Sequence, residues 1–442
     1  MDKGAFILNC YHVKKNGLAG AHDPSMMWDP VSRTYYSYAT DVFGEELGLT
    51  QPIGIPIRSS KDLVHFQFEG YALSREAIEE GRDNGEYPKT FNFWAPFVEY
   101  VKGEYRMYYS ATKAFGSSES RIWLAVSKSP LGPFENRGVV CDTWGTDDSY
   151  PNAIDPHIQW DQERCYLIYG SYFGGIYCKE LSPDTGLSKS GDTRELGHCI
   201  SKKGNPAVID GPEGASMLYV KETGYFYLFQ SYGWLGDDYD IRVGRSRSVM
   251  GPFLDWKGQN LVEEGLGLKL ANSYEFRATA PFAGTDDKDW CFGGFRGPGH
   301  GVPFYDPTRE KYFFVHHIRD GAVCNRYEDK KTGLVSYRKH YMMIRPMFFV
   351  EDWPVFGPEP FSGESLDLIS VCAEDTKWEV IYLDNLDNTP KKSVIIDDKA
   401  LKGNGSQYVC YMCHDYENNC KTIAATGISK EGVCFWAKKQ SR

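Results

Sequence analysis

Long apolar runs are missing from this chain. No stretch approaches the ~20 residues that a membrane-spanning helix needs, so a membrane partner is not expected. Runs of Ala, Leu, Glu and Lys at helical period are also missing, which argues against a helical bundle. Positive charge is in short supply. Lys and Arg number 49 against 60 Asp and Glu, and the net charge of −11 disfavours nucleic acid or an acidic surface as partner. The opening MDKGAFILNCYHVKKNG has no apolar core followed by a small-residue cleavage site, so no export signal is read there. The 12 cysteines lie mostly inside strand-like runs rather than in a spaced framework, the pattern of free thiols in a reducing compartment. A cytoplasmic location is therefore expected, or secretion if a leader precedes this sequence. Cys410 and Cys413 in CYMC have the spacing of half a zinc site, but no second pair follows, and strand cysteines are the better reading.

Aromatic residues are plentiful. They make up 15% of the chain, with 30 Tyr and 11 Trp beside 45 Gly. Short Tyr-, Phe- and Val-rich runs broken by Gly, Pro, Asp and Asn predict an all-β protein. An acidic, aromatic-rich chain suits a neutral ligand such as a sugar, whose C–H faces pack on rings.

One pattern recurs. WDPVSRTYYSY (28–38), YVKGEYRMYYS (100–110), WDQERCYLIYGS (160–171), YVKETGYFYLFQS (219–231) and YDPTREKYFFVHH (305–317) each run from an aromatic through a polar turn into a Tyr/Phe-rich strand. That is a β-hairpin signature. Five residues before the leading aromatic stand Asp23, Ala95, Asp155 and His300. In the fourth copy Glu213 lies five before Leu218 and six before Tyr219. Copies roughly 60–90 residues apart suggest radial repetition in units of four strands, a propeller. Equivalent positions then converge at one end of a central channel. Three carboxylates and a histidine converging there are costly as packing and point to a site.

HDPS (22–25), NFWAP (92–96), NAIDP (152–156), YGSYFGGIY (169–177), an EG before a Tyr-rich hairpin and GH (299–300) occur in one order, and over about residues 15–370 the chain resembles glycoside hydrolase family 43. The resemblance implies a five-bladed β-propeller over residues 1–365, followed by a small C-terminal β domain over 366–442. It implies Asp23 as the general base that activates water, Glu213 as the general acid, and Asp155 as the group that orients the sugar and tunes the acid. Phe93 and Trp94 would form part of a sugar platform, and Asn152 and Ser171 would make polar substrate contacts. His300 would face a hydrated ion in the channel, commonly Ca2+, although one histidine among waters is an unusual shell for an oxygen-seeking cation. The family usually carries Glu-Gly-Pro at the acid. Here VIDGPEGASMLY (208–219) leaves Asp210 as an alternative to Glu213.

The chemistry the resemblance implies is that of an inverting glycosidase, with two carboxyls on opposite faces of the scissile bond and a third raising the acid's pKa. MMIRPMFFVEDWPVFGPEPFSGE (342–364) and the strand-rich tail resemble two-domain endo-α-1,5-L-arabinanases, which implies arabinan or arabino-oligosaccharides as substrate. An exo-acting arabinofuranosidase or β-xylosidase stays open as the alternative. A non-catalytic sugar-binding propeller is disfavoured by the three standing carboxylates, and a fructan-cleaving propeller by HDPSM in place of NDPNG. Of the remaining histidines, His157 is read as structural, and His316 and His317 as packing residues on an outer strand. SREAIEEGRDNGEYPKT (74–90) and ATAPFAGTDDKDWCFGGFRGPG (278–299) are expected to shape the cleft. Oligomeric state is left open by the residues.

Overall fold

The computed structural model describes residues 16–40, 42, 54–83, 93–114, 116–202, 210–276, 294–321, 326–328, 330, 335–337, 340–370, 376–403 and 405–440. The described chain is all-β apart from two short helices. β1 (Ser25–Asp29), β2 (Thr34–Tyr38), β3 (Pro56–Ser60) and β4 (Phe66–Tyr71) form the first antiparallel sheet, and helix α1 (Arg75–Asp83) follows it. The second sheet is β5 (Phe93–Val101), β6 (Glu104–Thr112), β7 (Ser120–Ser127) and β8 (Glu135–Asp142). The third is β9 (His157–Asp161), β10 (Arg164–Tyr169), β11 (Ile176–Leu181) and β12 (His198–Ser201). The fourth is β13 (Glu213–Val220), β14 (Tyr225–Tyr232), β15 (Asp240–Ser246) and β16 (Leu268–Ala271).

A larger sheet comes next. β17 (Tyr274–Glu275), β18 (Phe295–Asp306) and β19 (Lys311–Asp320) lead into it. A separate pair, β20 (Arg326–Glu328) and β21 (Val335–Tyr337), interrupts the sequence before β22 (His340–Val350) and β23 (Trp353–Phe356) complete that side. The tail contributes β24 (Lys377–Leu383), β25 (Lys391–Lys392), β26 (Val394–Asp397), helix α2 (Asp398–Gly403), β27 (Gln407–Asp415), β28 (Cys420–Ile428) and β29 (Cys434–Lys439). Five of these tail strands form their own sheet, in the order β26-β24-β29-β28-β27, while β25 pairs in parallel with β17.

The repeated leading aromatic has a structural cause. In four hairpins it sits directly opposite another aromatic across the turn, as Trp28–Tyr35, Tyr100–Tyr105, Tyr219–Phe226 and Tyr305–Tyr312. Their ring centroids are 4.6, 4.8, 4.7 and 5.0 Å apart. Such cross-strand aromatic pairs pin a hairpin's register. The first strands of successive sheets are neighbours: β1 lies beside β5, β9 beside β13, and β18 beside both β13 and β1. Between the second and third sheets, Trp160 Nε1 donates to Glu99 Oε2 (2.7 Å) and Phe97 packs edge-on to His157 at 4.5 Å. The circuit of contacts thus returns to its start.

The tail sheet shares its core with the fifth. Trp436, Ile381 and Leu383 pack in one cluster with Tyr274, Phe314 and Phe356. Beside them four charged groups are buried together. Lys438 Nζ donates to Glu359 (2.7 Å), Asp415 (3.0 Å) and Glu417 (2.7 Å). Cys410 and Cys413, three apart on β27, point to opposite faces and pack into different clusters, so they cannot share an ion. All eight cysteines among the described residues are free. Among the described residues no helix is long and apolar enough to cross a membrane.

Candidate active site

The first strands of the five sheets begin on one conformation. Asp23, Ala95, Asp155, Gly214 and His300 have φ of 46°, 48°, 60°, 57° and 40°. For the four that are not glycine this left-handed conformation costs about 1 kcal/mol or more each. The strain coincides with register irregularities at the heads of β5, β13 and β18, as in β-bulges that re-aim side chains. One expectation is corrected here. The five-residue step from Tyr219 falls on Gly214, and Glu213 stands one residue before the repeated position. Gly214 is needed there because a Cβ would meet the His300 ring at 3.0 Å.

A polar side chain near the end of the second strand of one sheet caps the next sheet's strained amide. Ala95 N–H donates to Thr40 Oγ1 (2.8 Å), Asp155 N–H to Ser110 Oγ (3.1 Å) and His300 N–H to Ser231 Oγ (2.8 Å). At Asp23 the corresponding residue is His317 of β19, its Nδ1 3.3 Å from the amide. The Gly214 amide donates instead to Asp155 Oδ2 (3.1 Å). The hydroxyl left over, Ser171, donates to Glu213 Oε2 (2.9 Å). A cap thereby becomes part of the carboxylate cluster.

Asp23 is surrounded by donors. Thr40 Oγ1 (2.7 Å) and His22 Nδ1 (2.9 Å) meet its Oδ2, and His317 Nδ1 (3.2 Å) and His300 Nδ1 (3.3 Å) meet its Oδ1. Burial opposes ionisation of Asp23, but His22 and His300 outweigh it and hold the carboxyl well below its usual range. Glu213 is opposite in character. Burial first, then the charge of Asp155, pushes it up to about 7, against hydrogen bonds from Tyr239 and Ser171. Tyr239 Oη donates to Glu213 Oε1 at 2.7 Å. Asp155 is also pushed well up, by burial and then by Asp23. Three buried carboxyls cannot all ionise together. Asp23 is the first to ionise, and Asp155 and Glu213 keep their protons to higher pH than free carboxyls do.

Sequence reasoning placed some residues well and others not. Asp23, Asp155, Glu213 and His300 come together. His300 Nδ1 is 3.9 Å from Asp155 Oδ2 as well as near Asp23. Asp210, the alternative acid, is exposed. Phe93 is not a platform: it is fully buried, with Tyr109 edge-on at 5.8 Å. Trp94, next to it, is half-buried. Ser171 is buried, and its hydroxyl is engaged by Glu213 rather than presented to a ligand. Asn152 is buried too, its amide donating to Ser117 O (3.1 Å) while Oδ1 has no partner among the described residues. His157 is structural as read, with Nε2 donating to Met217 O at 2.8 Å. His316 meets Arg345 in the core. His317, read as packing, is corrected: it touches Asp23. The residues missed were Thr40, His22, Tyr239, His317 and Arg319. Of the expected cleft segments, Arg75–Asp83 forms α1, whereas 84–92 and 278–293 lie outside the described residues.

His300 Nδ1 faces two carboxylates, which places its proton there and leaves the Nε2 lone pair as a ligand backed by acceptors. That fits a single protein ligand to a hydrated cation.

The family Glycosyl hydrolases family 43 matches residues 18–354. An extracellular endo-α-(1→5)-L-arabinanase of Thermotoga petrophila is 32% identical over 79% of this chain and 72% of its own length. The extracellular endo-α-(1→5)-L-arabinanase 2 of Bacillus subtilis is 29% identical over 78% of this chain and 72% of its own. The crystal structure of endo-1,5-α-L-arabinanase from Thermotoga petrophila superposes with a TM-score of 0.77 at 25% identity, covering 96% of this chain and 99% of that one. With the family matched across residues 18–354 and a relative 32% identical over 79% of this chain, the chain belongs to the family 43 glycosyl hydrolases.

Proposed function

We propose that this protein is an inverting endo-α-1,5-L-arabinanase, built as a five-bladed propeller over residues 1–365 with a small β domain over 366–442. The observation that carries the reading is the opposed pair of carboxyls. Asp23 is held ionised, while Glu213 is raised to about 7 within the same cluster. Glu213 donates its proton to the glycosidic oxygen as the C–O bond breaks. Asp23 accepts a proton from the water that attacks the anomeric carbon on the opposite face. One proton leaves the acid and one arrives at the base, and the sugar is released with inverted configuration. Asp155 positions Gly214 through its amide and so the adjacent Glu213. Trp94 remains the aromatic candidate for a sugar face. His300 Nε2, with water completing the shell, would hold a hydrated Ca2+, which when bound supplies positive charge beside the carboxylates. Extracellular location is proposed from the named relatives, in place of the cytoplasmic expectation.

The test is a product time course on linear arabinan, read by chromatography and with anomeric configuration followed by NMR. Early mixed oligosaccharides of inverted configuration are expected. Arabinose as the sole early product would move the protein to the exo reading. Retained configuration would overturn the mechanism.

The pH dependence has a definite sign. Activity requires Glu213 protonated, so kcat/KM falls as pH rises through about 7. It requires Asp23 ionised, so the acid limb lies below the ordinary carboxylate range. The Tyr239 hydroxyl stabilises the Glu213 anion. Tyr239→Phe is therefore expected to move the alkaline limb of kcat/KM upward. An unchanged or lower limb would show that this hydrogen bond does not set the acid.

A further inference from the structure

Behind Asp23 lies a guanidinium with no access to solvent. Arg319 on β19 is 0% exposed, as is His317, and His22 is buried. Arg319 Nη2 is 2.6 Å from His22 Nε2, and Nη1 is 3.2 Å from His317 Nε2. Nη1 also donates to Gly297 O at 3.3 Å. Gly297 leaves the room for this, since a Cβ there would meet Nη1 at 3.0 Å. The two imidazoles stack at 4.1 Å and 10°, and the Tyr239 ring lies parallel to His317 at 5.8 Å.

The chemistry of these contacts fixes where two protons sit. A guanidinium has five donors and no acceptor. Both Nε2 atoms must therefore present lone pairs to Arg319, and each neutral ring then carries its proton on Nδ1. His22 Nδ1–H is thereby aimed at Asp23 Oδ2 and His317 Nδ1–H at Asp23 Oδ1. The opposite tautomer would let the Asp23 amide donate to His317 Nδ1 at 3.3 Å. It would also set Nε2–H against an Arg N–H and turn a lone pair toward a carboxylate. Two repulsions outweigh one long hydrogen bond. The same assignment excludes His22, Asp23 and His317 as a metal site, although their ligand atoms lie close enough together, because both Nδ1 lone pairs are taken by protons.

We propose that Arg319 is a positioning residue for the proposed hydrolysis, setting the tautomers of His22 and His317 so that both donate to the base Asp23. Arg319 bonds to neither Asp23 nor Glu213; it reaches them through the two rings and, as a buried cation, through its charge. The inference rests on Asp23 as base, yet its first readout does not.

The experiment is NMR of histidine-labelled protein, with long-range proton–nitrogen correlations reporting which ring nitrogen carries the proton. The His22 and His317 signals are assigned by their loss in His22→Asn and His317→Asn. In the unaltered protein both rings are expected as Nδ1–H with bare Nε2. Either ring found as Nε2–H overturns the proposal, whatever any variant does. Arg319→Met removes the donors and is expected to release at least one ring to the other tautomer. In that variant kcat on arabinan should fall by about 10- to 100-fold with KM within about twofold, the scale of losing an outer hydrogen-bond partner of a working imidazole. Arg319→Lys, whose ammonium also only donates, is expected to keep both tautomers and recover part of kcat. A folded Arg319→Met with unchanged tautomers, or with shifted tautomers and unchanged kcat, would also overturn it. If both tautomers are as expected but Asp23→Asn retains full activity, Asp23 is not the base and the hydrolytic reading fails separately.

Discussion

Glu213→Gln is expected to lower turnover of linear arabinan by about 10²- to 10⁴-fold, the usual worth of a positioned general acid. Glutamine keeps the shape: its oxygen can accept from one of Tyr239 and Ser171, which now meet the two carboxylate oxygens, and its NH2 can donate to the other hydroxyl. It has no acidic proton to give. The bond broken in arabinan expels a sugar alkoxide, a poor leaving group that depends on protonation. A dinitrophenyl arabinofuranoside expels a stable phenolate without help. The variant should therefore lose far less on the aryl glycoside than on the polymer, and its alkaline limb near pH 7 should disappear. Steady-state rates on both substrates across pH decide it. Equal losses on the two would remove Glu213 as acid and leave it a binding group. Asp210→Asn is the control. Asp210 is exposed, so near-normal rates are expected.

The sequence carried the hairpins and the carboxylates because both are written at short range. An aromatic before each turn pairs across it, so its spacing survives in the text as a repeat. The step from that aromatic to the strained residue is five in every copy, although the strands themselves run from 5 to 12 residues. The fourth copy was displaced by one because a carboxylate was sought where the backbone wanted glycine. The caps were visible but unread. Ser110 and Ser231 each end one of the repeated lines, as do Ser171, turned instead to Glu213, and His317, turned to the Asp23 carboxylate. Their meaning depends on which sheet stands next door, and no local pattern contains that. Phe93 and Trp94 show the same limit. Adjacent strand residues face opposite sides, so one of the pair was bound to be buried, and only packing against Tyr109 shows which. The Arg319 contacts join residues 297 positions apart in sequence, and a lone Arg in FFVHHIRD gives no sign of them.

Lys438→Met is expected to be the most destabilising of these changes. Glu359 follows β23, Asp415 ends β27 and Lys438 lies on β29, so this cation joins the fifth sheet's exit to the tail sheet. All four side chains, Glu417 included, are at most 5% exposed. Burial, and then Glu417, pushes Glu359 well up even with Lys438 present. On Asp415 burial works the same way, but Lys438 outweighs it and holds the carboxyl down. Methionine would fill the space beside Phe276, whose ring lies 4.1 Å from Nζ, yet would leave three carboxyls with no counter-charge. Removing one partner of a buried ion pair costs roughly 3–5 kcal/mol. The penalty should depend on pH in a fixed direction. Without Lys438 the folded carboxyls have pKa values above their unfolded ones, so folding of the variant takes up protons and its stability declines as pH rises. Urea unfolding at neutral pH should show the full deficit, and unfolding near the carboxylate range a smaller one. A deficit that is the same at both would mean that lost packing, not uncompensated charge, sets the cost. A deficit under about 1 kcal/mol at both would mean that the three acids had already found other partners.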